Sequence, residues 1–187
     1  SGKEKSGGNS MKKIAFSIAK SRTKFLLLLF VVELIVLSLI SPYFFNMNNL
    51  MQVTQFGASL TLLSLSEALV MIAGRDGIDI SIGATMSLSG VIFGLTVMNG
   101  AGIFSAALVT LAGGILLGAI NGGLVAAAKI PALIATLGTQ YVYGSLALYL
   151  TGGIPISGFP DSFKMLSLES TFGIPNQILF VVIPVTV

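Results

Sequence analysis

Apolar residues in this chain fall in long unbroken runs, not in the short alternations of a half-buried strand or the one-sided stripe of a soluble helix. From Ile80 to Ala128 there is no Asp, Glu, Lys, Arg or His. A bilayer core about 30 Å thick needs about 20 apolar residues per helix, so this run reads as two spans, Ile80–Val97 and Ile103–Ala128, joined by a tight polar link at Asn99-Gly100. The same pattern predicts a first span over Phe25–Ile40, a second from about Gly57 to Gly74 and a fifth over Ala132–Leu150. Asn46–Asn49 is a polar break, and Thr151–Phe172 is a loop rich in Gly and Pro. Ile178–Val187 begins a sixth span and stops after roughly half of what a bilayer requires. The expectation is an all-α, polytopic helix bundle of five complete spans plus a truncated sixth. Lipid permits only helices or a closed barrel, and runs such as Val109–Ile120 lack the alternation of barrel strands.

Composition agrees: 54% of residues are hydrophobic and 9% charged, with a mean hydropathy of +0.95. The net charge of +3 arises at the amino terminus. Lys3, Lys5, Lys12, Lys13, Lys20, Arg22 and Lys24 all precede the first apolar run. That cluster reads as the cytoplasmic flank of a first span, not as a nucleic-acid site. Residues 1–24 are therefore expected to be a basic cytoplasmic tail, and 25–187 the transmembrane domain. Ser1–Ser10 has the composition of a disordered segment or an expression remnant, since Met11-Lys12-Lys13 looks like a natural start. Counting Lys and Arg in the connections places the tail, Arg75 and Lys129 inside and Lys164 outside.

The chain has no cysteine and no histidine, which removes disulfides, thiolate metal sites and the commonest general base. No phosphate-cradling Gly-x-x-x-x-Gly-Lys is present. No catalytic residue, metal site or cofactor is expected. Gly90 with Gly94, and Gly114 with Gly118 and Gly122, recur at four-residue spacing, which lets helix backbones approach closely. Three acids lie in or beside spans. Glu33 is mid-way along the first and reads as a packing residue, whereas Glu67, flanked by Ser64 and Ser66, suits either a hydrogen-bonded packing role or a proton or cation relay. Asp79, bracketed by Gly77 and Gly83 and followed by Ser81, is placed to cap the helix beginning near Ser81. The Gly74–Gly83 stretch reads either as a cytoplasmic link or as a helix break lining a cavity within the membrane.

Four motifs carry a family resemblance. Gly74-Arg75-Asp76-Gly77-Ile78-Asp79-Ile80-Ser81-Ile82-Gly83 resembles the Gly-Gly-Ile-Asp-Leu-Ser-Val-Gly signature of bacterial ABC sugar-importer permeases, with Arg75-Asp76 standing where that family has adjacent glycines. Gly118-Ala119-Ile120-Asn121-Gly122 is similar to its Gly-x-x-Asn-Gly, and Pro131–Thr139 to its Pro-x-x-Ile-x-Thr-Leu-Gly-Thr. Thr151-Gly152-Gly153-Ile154-Pro155-Ile156 is similar to its Thr-Gly-Gly-x-Pro-Ile turn. The resemblance implies a bacterial inner-membrane permease of the ribose, xylose, galactose and autoinducer-2 type, typical members being nearly twice this length. It would pair with a second permease subunit, with ATP-binding subunits beneath and an extracytoplasmic sugar-binding protein delivering the substrate. Because sugars bind through hydroxyl-matching groups, Asn121, Thr136, Thr139 and Gln140 are candidates to line the path, with interhelical hydrogen bonding as their other reading. Two further classes stay open: an ion-coupled carrier using Glu67 and Asp79, and a non-transporting scaffold or permease fragment.

Overall fold

The computed structural model describes residues 21–73, 77–171 and 174–179. Gly74, Arg75 and Asp76, the tail up to residue 20, and the sixth apolar run beyond residue 179 lie outside the described residues. The chain divides into two compact units, Ser1–Val53 and Thr54–Val187.

In the first unit, α1 covers Arg22–Ile40 and ends at Ser41, whose N–H is accepted by Leu37 O. Its helix starts before the apolar run, so Arg22, Thr23 and Lys24 are helical. The predicted break over 46–49 is the head of the next helix. Asn46 Oδ1 accepts the N–H of Asn48 at 3.0 Å, satisfying one of the free donors of a first turn. Helix α2 therefore begins at Met47 and runs to Ala73, about ten residues earlier than the hydropathy alone suggested.

The second unit is organised around three helices: α3 (Ile82–Met98), α4 (Ile103–Ala126) and α5 (Ala132–Thr151). Each packs against the other two. Their shared core is Leu88, Leu117, Tyr143 and Ala147, flanked by Ala84, Val91 and Ile92. On α5 the buried positions Thr136, Thr139, Tyr143 and Ala147 recur at three- and four-residue steps and form one face. Ser and Thr hydroxyls along the helices are satisfied by the preceding turn: Thr96 Oγ1 donates to Ile92 O at 2.7 Å and Thr110 Oγ1 to Ala106 O at 2.8 Å.

Each link in this unit has a local cause. Between α3 and α4 the chain reverses at Asn99-Gly100, where Gly100 takes φ +87°. Helix α4 closes with Ile130 N donating to Leu124 O, and Lys129 occupies the left-handed conformation (φ 55°) that glycine usually fills there. Helix α5 closes on Gly152 and Gly153, both with positive φ, Gly153 N donating to Leu148 O at 2.9 Å. The segment after α5, expected to be an irregular loop, contains a short helix α6 (Asp161–Leu168) and a two-residue antiparallel ladder, β1 (Ser170–Thr171) with β2 (Ile174–Pro175). Phe163 of α6 and Phe159 before it stack on Phe93 of α3 at ring separations of 5.1 and 6.1 Å, which holds this return segment on the bundle.

Among the described residues three helices are long and apolar enough to cross a membrane: α1, α2 and α4. Helix α3 is apolar but has 17 residues, because the backbone from Gly77 to Ser81 is not helical and the helix starts at Ile82 instead of Ile80. Helix α5 has the length but carries Thr136, Thr139, Gln140 and three tyrosines, which dilute its hydropathy.

Candidate functional site

The second unit gathers its polar side chains around one feature, the non-helical segment Gly77–Ser81 between α2 and α3. A backbone outside a helix leaves N–H and C=O groups that must find partners elsewhere. Three helices supply them here. From α2, Glu67 Oε1 accepts the N–H of Asp79 at 3.1 Å. From α5, Thr136 Oγ1 accepts the N–H of Ile80 at 3.2 Å. The same hydroxyl lies 3.2 Å from Ile78 O and 2.8 Å from Ala132 O, which share its one proton. From α4, Asn121 Nδ2 donates to Ser81 Oγ at 2.7 Å.

Within the segment, Asp79 Oδ1 accepts both the N–H of Ser81 at 2.8 Å and its hydroxyl at 2.6 Å. Two donors on one carboxylate oxygen fix the turn that feeds α3. The chain of bonds continues past Asn121. Tyr143 OH, on α5, donates to Leu117 O at 3.0 Å and stands 3.4 Å from Asn121 Oδ1. Ser81 is fully enclosed, and Asn121, Thr136 and Tyr143 are 7%, 3% and 4% exposed. Buried polar groups tied this closely together rigidify what they join.

The other candidates are placed differently. Thr139 is buried, its hydroxyl donating to Thr136 O at 3.2 Å. Gln140 is half-buried, and its Oε1 has no hydrogen-bond partner among the described residues. Of the glycines, Gly94 meets Ile156, whose Cγ2 and Cδ1 would lie 2.9 Å from an added Cβ, and Gly114 faces Ser89 Oγ at 3.9 Å. Gly83, Gly90, Gly118 and Gly122 have nothing within 4 Å of that position. Gly113, which the four-residue pattern passes over, meets Ile92 at 3.1 Å. Gly90 instead borders a cavity of about 400 Å³ between α3, α5 and the return segment, with Ser87, Thr151, Pro155 and Phe159 in its wall. Tyr143 is the residue that the motifs do not reveal. Its signal is its spacing from Thr136 and Thr139 on an otherwise apolar face. Among the described residues no three His, Cys, Asp or Glu come together as a metal site would need.

Comparison with known proteins places this geometry in context. A family model described as branched-chain amino acid transport system / permease component matches residues 49–183. The chain is 40% identical over 144 residues to the probable ABC transporter permease protein y4mJ of Sinorhizobium fredii, covering 76% of this chain and 42% of that one. It is 36% identical over 165 residues to the autoinducer 2 import system permease protein LsrD of an Enterobacter species, covering 84% and 50%. Against LsrC of the same organism it is 38% identical over 139 residues, covering 74% and 40%. The chain thus spans half or less of the length of these relatives. No solved structure matches it.

Proposed function

The chain belongs to the ABC-transporter permease family whose model is described as branched-chain amino acid transport system / permease component, and we propose that it forms part of the membrane path of an ATP-driven importer for a neutral, hydroxyl-rich solute such as a monosaccharide or autoinducer 2. The observation that carries this reading is the Gly77–Ser81 break, held by side chains from α2, α4 and α5 in a largely apolar bundle. Broken helices pinned by neighbours are what a transport path is built from. The solute class follows from charge. An amino acid would need groups to match its ammonium and its carboxylate, but among the described residues the charged side chains at the segment, Glu67 and Asp79, are both acids, and α3, α4 and α5 hold no cation to match a carboxylate. Hydroxyls need only the donors and acceptors that Asn121, Thr136, Thr139 and Gln140 supply. The four would meet the solute in conformations where they exchange their present partners for it.

In this reading α3 and α5 also cross the membrane, with α1, α2 and α4, to give five spans and a sixth begun beyond residue 178, in a bacterial cytoplasmic membrane with the amino terminus inside. The shortness of α3, roughly 25 Å at 1.5 Å per residue, is compatible with a helix that begins at an internal break. The bundle would pair with a second permease subunit, receive its solute from an extracytoplasmic binding protein and draw energy from separate ATP-binding subunits.

The test is uptake of labelled ribose and autoinducer 2 into vesicles carrying the importer with ATP on the cytoplasmic side. Uptake that requires ATP and survives a protonophore is expected. Uptake that proceeds without ATP and collapses with the protonophore would replace this reading with an ion-coupled carrier.

A further inference from the structure

Glu67 stands apart from the rest of the polar cluster. Asn121, Thr136 and Tyr143 sit on α4 and α5, helices that pack on α3, whereas α2 has a single buried residue among those described, Ala58, and, besides the chain that leads from it into the segment, reaches the segment through the side chain of Glu67. That side chain is acidic and lies in an apolar run, between Leu62 and Ala73, where a charge is costly. Its two oxygens are used unequally. Oε1 accepts the N–H of Asp79, while Oε2 is buried with no hydrogen-bond partner among the described residues. The neighbouring Ser64 and Ser66 do not serve it, since their hydroxyls donate to Leu60 O and Leu62 O.

We infer that Glu67 is a positioning residue: one oxygen of its side chain ties α2 to the backbone of Asp79 and so couples movement of α2 to the Asp79–Ser81–Asn121 cluster. The bond lands on the residue whose own carboxylate fixes Ser81, which in turn meets Asn121 2.7 Å away. A displacement of α2 therefore reaches α4 through three consecutive bonds, Glu67 to Asp79, Asp79 to Ser81 and Ser81 to Asn121. The function assigned to Glu67 needs an acceptor oxygen at the right reach and nothing else. It does not need a charge, and it does not need the second oxygen. An ion-carrying acid would need its ionisable proton, which the amide of glutamine lacks. The inference rests on the importer reading for its transport readout but not for its geometry.

Two substitutions separate reach from charge. Glu67→Gln keeps a carbonyl oxygen at the same distance from the backbone. Glu67→Asp keeps the charge but is one methylene shorter and cannot span to Asp79 N. In the complete importer, assayed in vesicles for ATP-driven uptake from pH 6 to 8, Glu67→Gln should retain maximal uptake within about twofold with an unchanged pH profile. Glu67→Asp should lower maximal uptake about fivefold or more, the worth of one hydrogen bond lost at a part-buried group, with KM little changed. A second readout does not depend on transport. The chain has no cysteine, so Ile78→Cys, at a half-exposed site beside Asp79, reports how firmly the segment is held. Its maleimide labelling should quicken severalfold in the Glu67→Asp background and stay as in the parent with Glu67→Gln. Loss of uptake in Glu67→Gln, or parental uptake and labelling in Glu67→Asp, would overturn the assignment. Absence of ATP-driven uptake in the parent importer would overturn the importer reading, leaving the labelling comparison to judge Glu67 by itself.

Discussion

Asp79 and Glu33 are both acids in a largely apolar chain, but their surroundings make them unlike. Asp79 Oδ1 takes two donors from Ser81 within 2.8 Å, whereas Glu33 lies on the exposed surface of α1. Asp79→Ala would leave the N–H and hydroxyl of the fully enclosed Ser81 short of an acceptor, at a cost of about 1–3 kcal/mol. Asp79→Ala should therefore lower the detergent unfolding midpoint and impair uptake, and Glu33→Gln should change neither. Equal midpoints for the two variants would remove Asp79 from the role given to it here. The sequence makes Asp79, Ser81, Asn121 and Thr136 visible one at a time, through glycine brackets and motif spacing. It does not carry their partnerships. Asn121 reaches Ser81 across 40 positions and Thr136 reaches Ile80 across 56, and periodicity is silent at that range. Tyr143 joins the cluster only because α5 turns that face toward α4.

At the scale of the element, length and hydropathy locate helices but not the devices that begin and end them. The predicted runs Ile103–Ala128 and Ala132–Leu150 end within two residues of their helices, Ile103–Ala126 and Ala132–Thr151, because Gly102, Pro131 and Gly152 stand at their ends where the hydropathy also changes. Helix α2 starts early because Asn46 caps it, and α3 starts late because Asp79 holds the backbone in a turn. Hydropathy cannot see either. The return segment after α5 was illegible for another reason: its order comes from Phe159 and Phe163 meeting Phe93, some 66 and 70 positions earlier in the chain, and from Ile156 resting on Gly94. An added methyl at Gly94 would stand 2.9 Å from two carbons of Ile156, one of them attached directly to its Cβ, so the backbone of the segment would have to move. Gly94→Ala should cost about 1–3 kcal/mol on that basis, and Gly90→Ala, with open space around it, should be near neutral. Melting curves of the two variants in one detergent test this, and an equal loss would mean that Ile156 yields freely.

For the molecule as a whole, the exposed surface is the informative feature. Phe25, Leu26, Leu27 and Phe30 of α1 and Leu108, Leu111, Ile115 and Leu116 of α4 are each half exposed or more, a surface suited to lipid and not to water. The count of basic residues in the links predicts a direction for it. Single cysteines at Asn99 and Ala128 should react from opposite sides of the membrane, Asn99→Cys with an impermeant maleimide added to intact spheroplasts and Ala128→Cys only after lysis. Both positions are exposed, so accessibility is decided by the bilayer alone. Reaction of Ala128→Cys in intact cells, with Asn99→Cys protected, would invert the topology.

The difference in length and hydropathy between α1, α2 and α4 on one side and α3 and α5 on the other also bears on how the protein comes to be in the membrane at all. Emerging from the ribosome, α1, α2 and α4 have the apolar length to partition into lipid by themselves. On the five-span reading α3, with 17 residues, and α5, with its buried threonines and tyrosine, do not. Asn121 is synthesised before Tyr143, so α4 must wait with that amide incompletely paired until α5 is made. Residence beside the insertion machinery would thus end helix by helix for α1 and α2, whereas α4, apolar enough to leave alone, would be held with α3 and α5 until the last of their mutual hydrogen bonds closes.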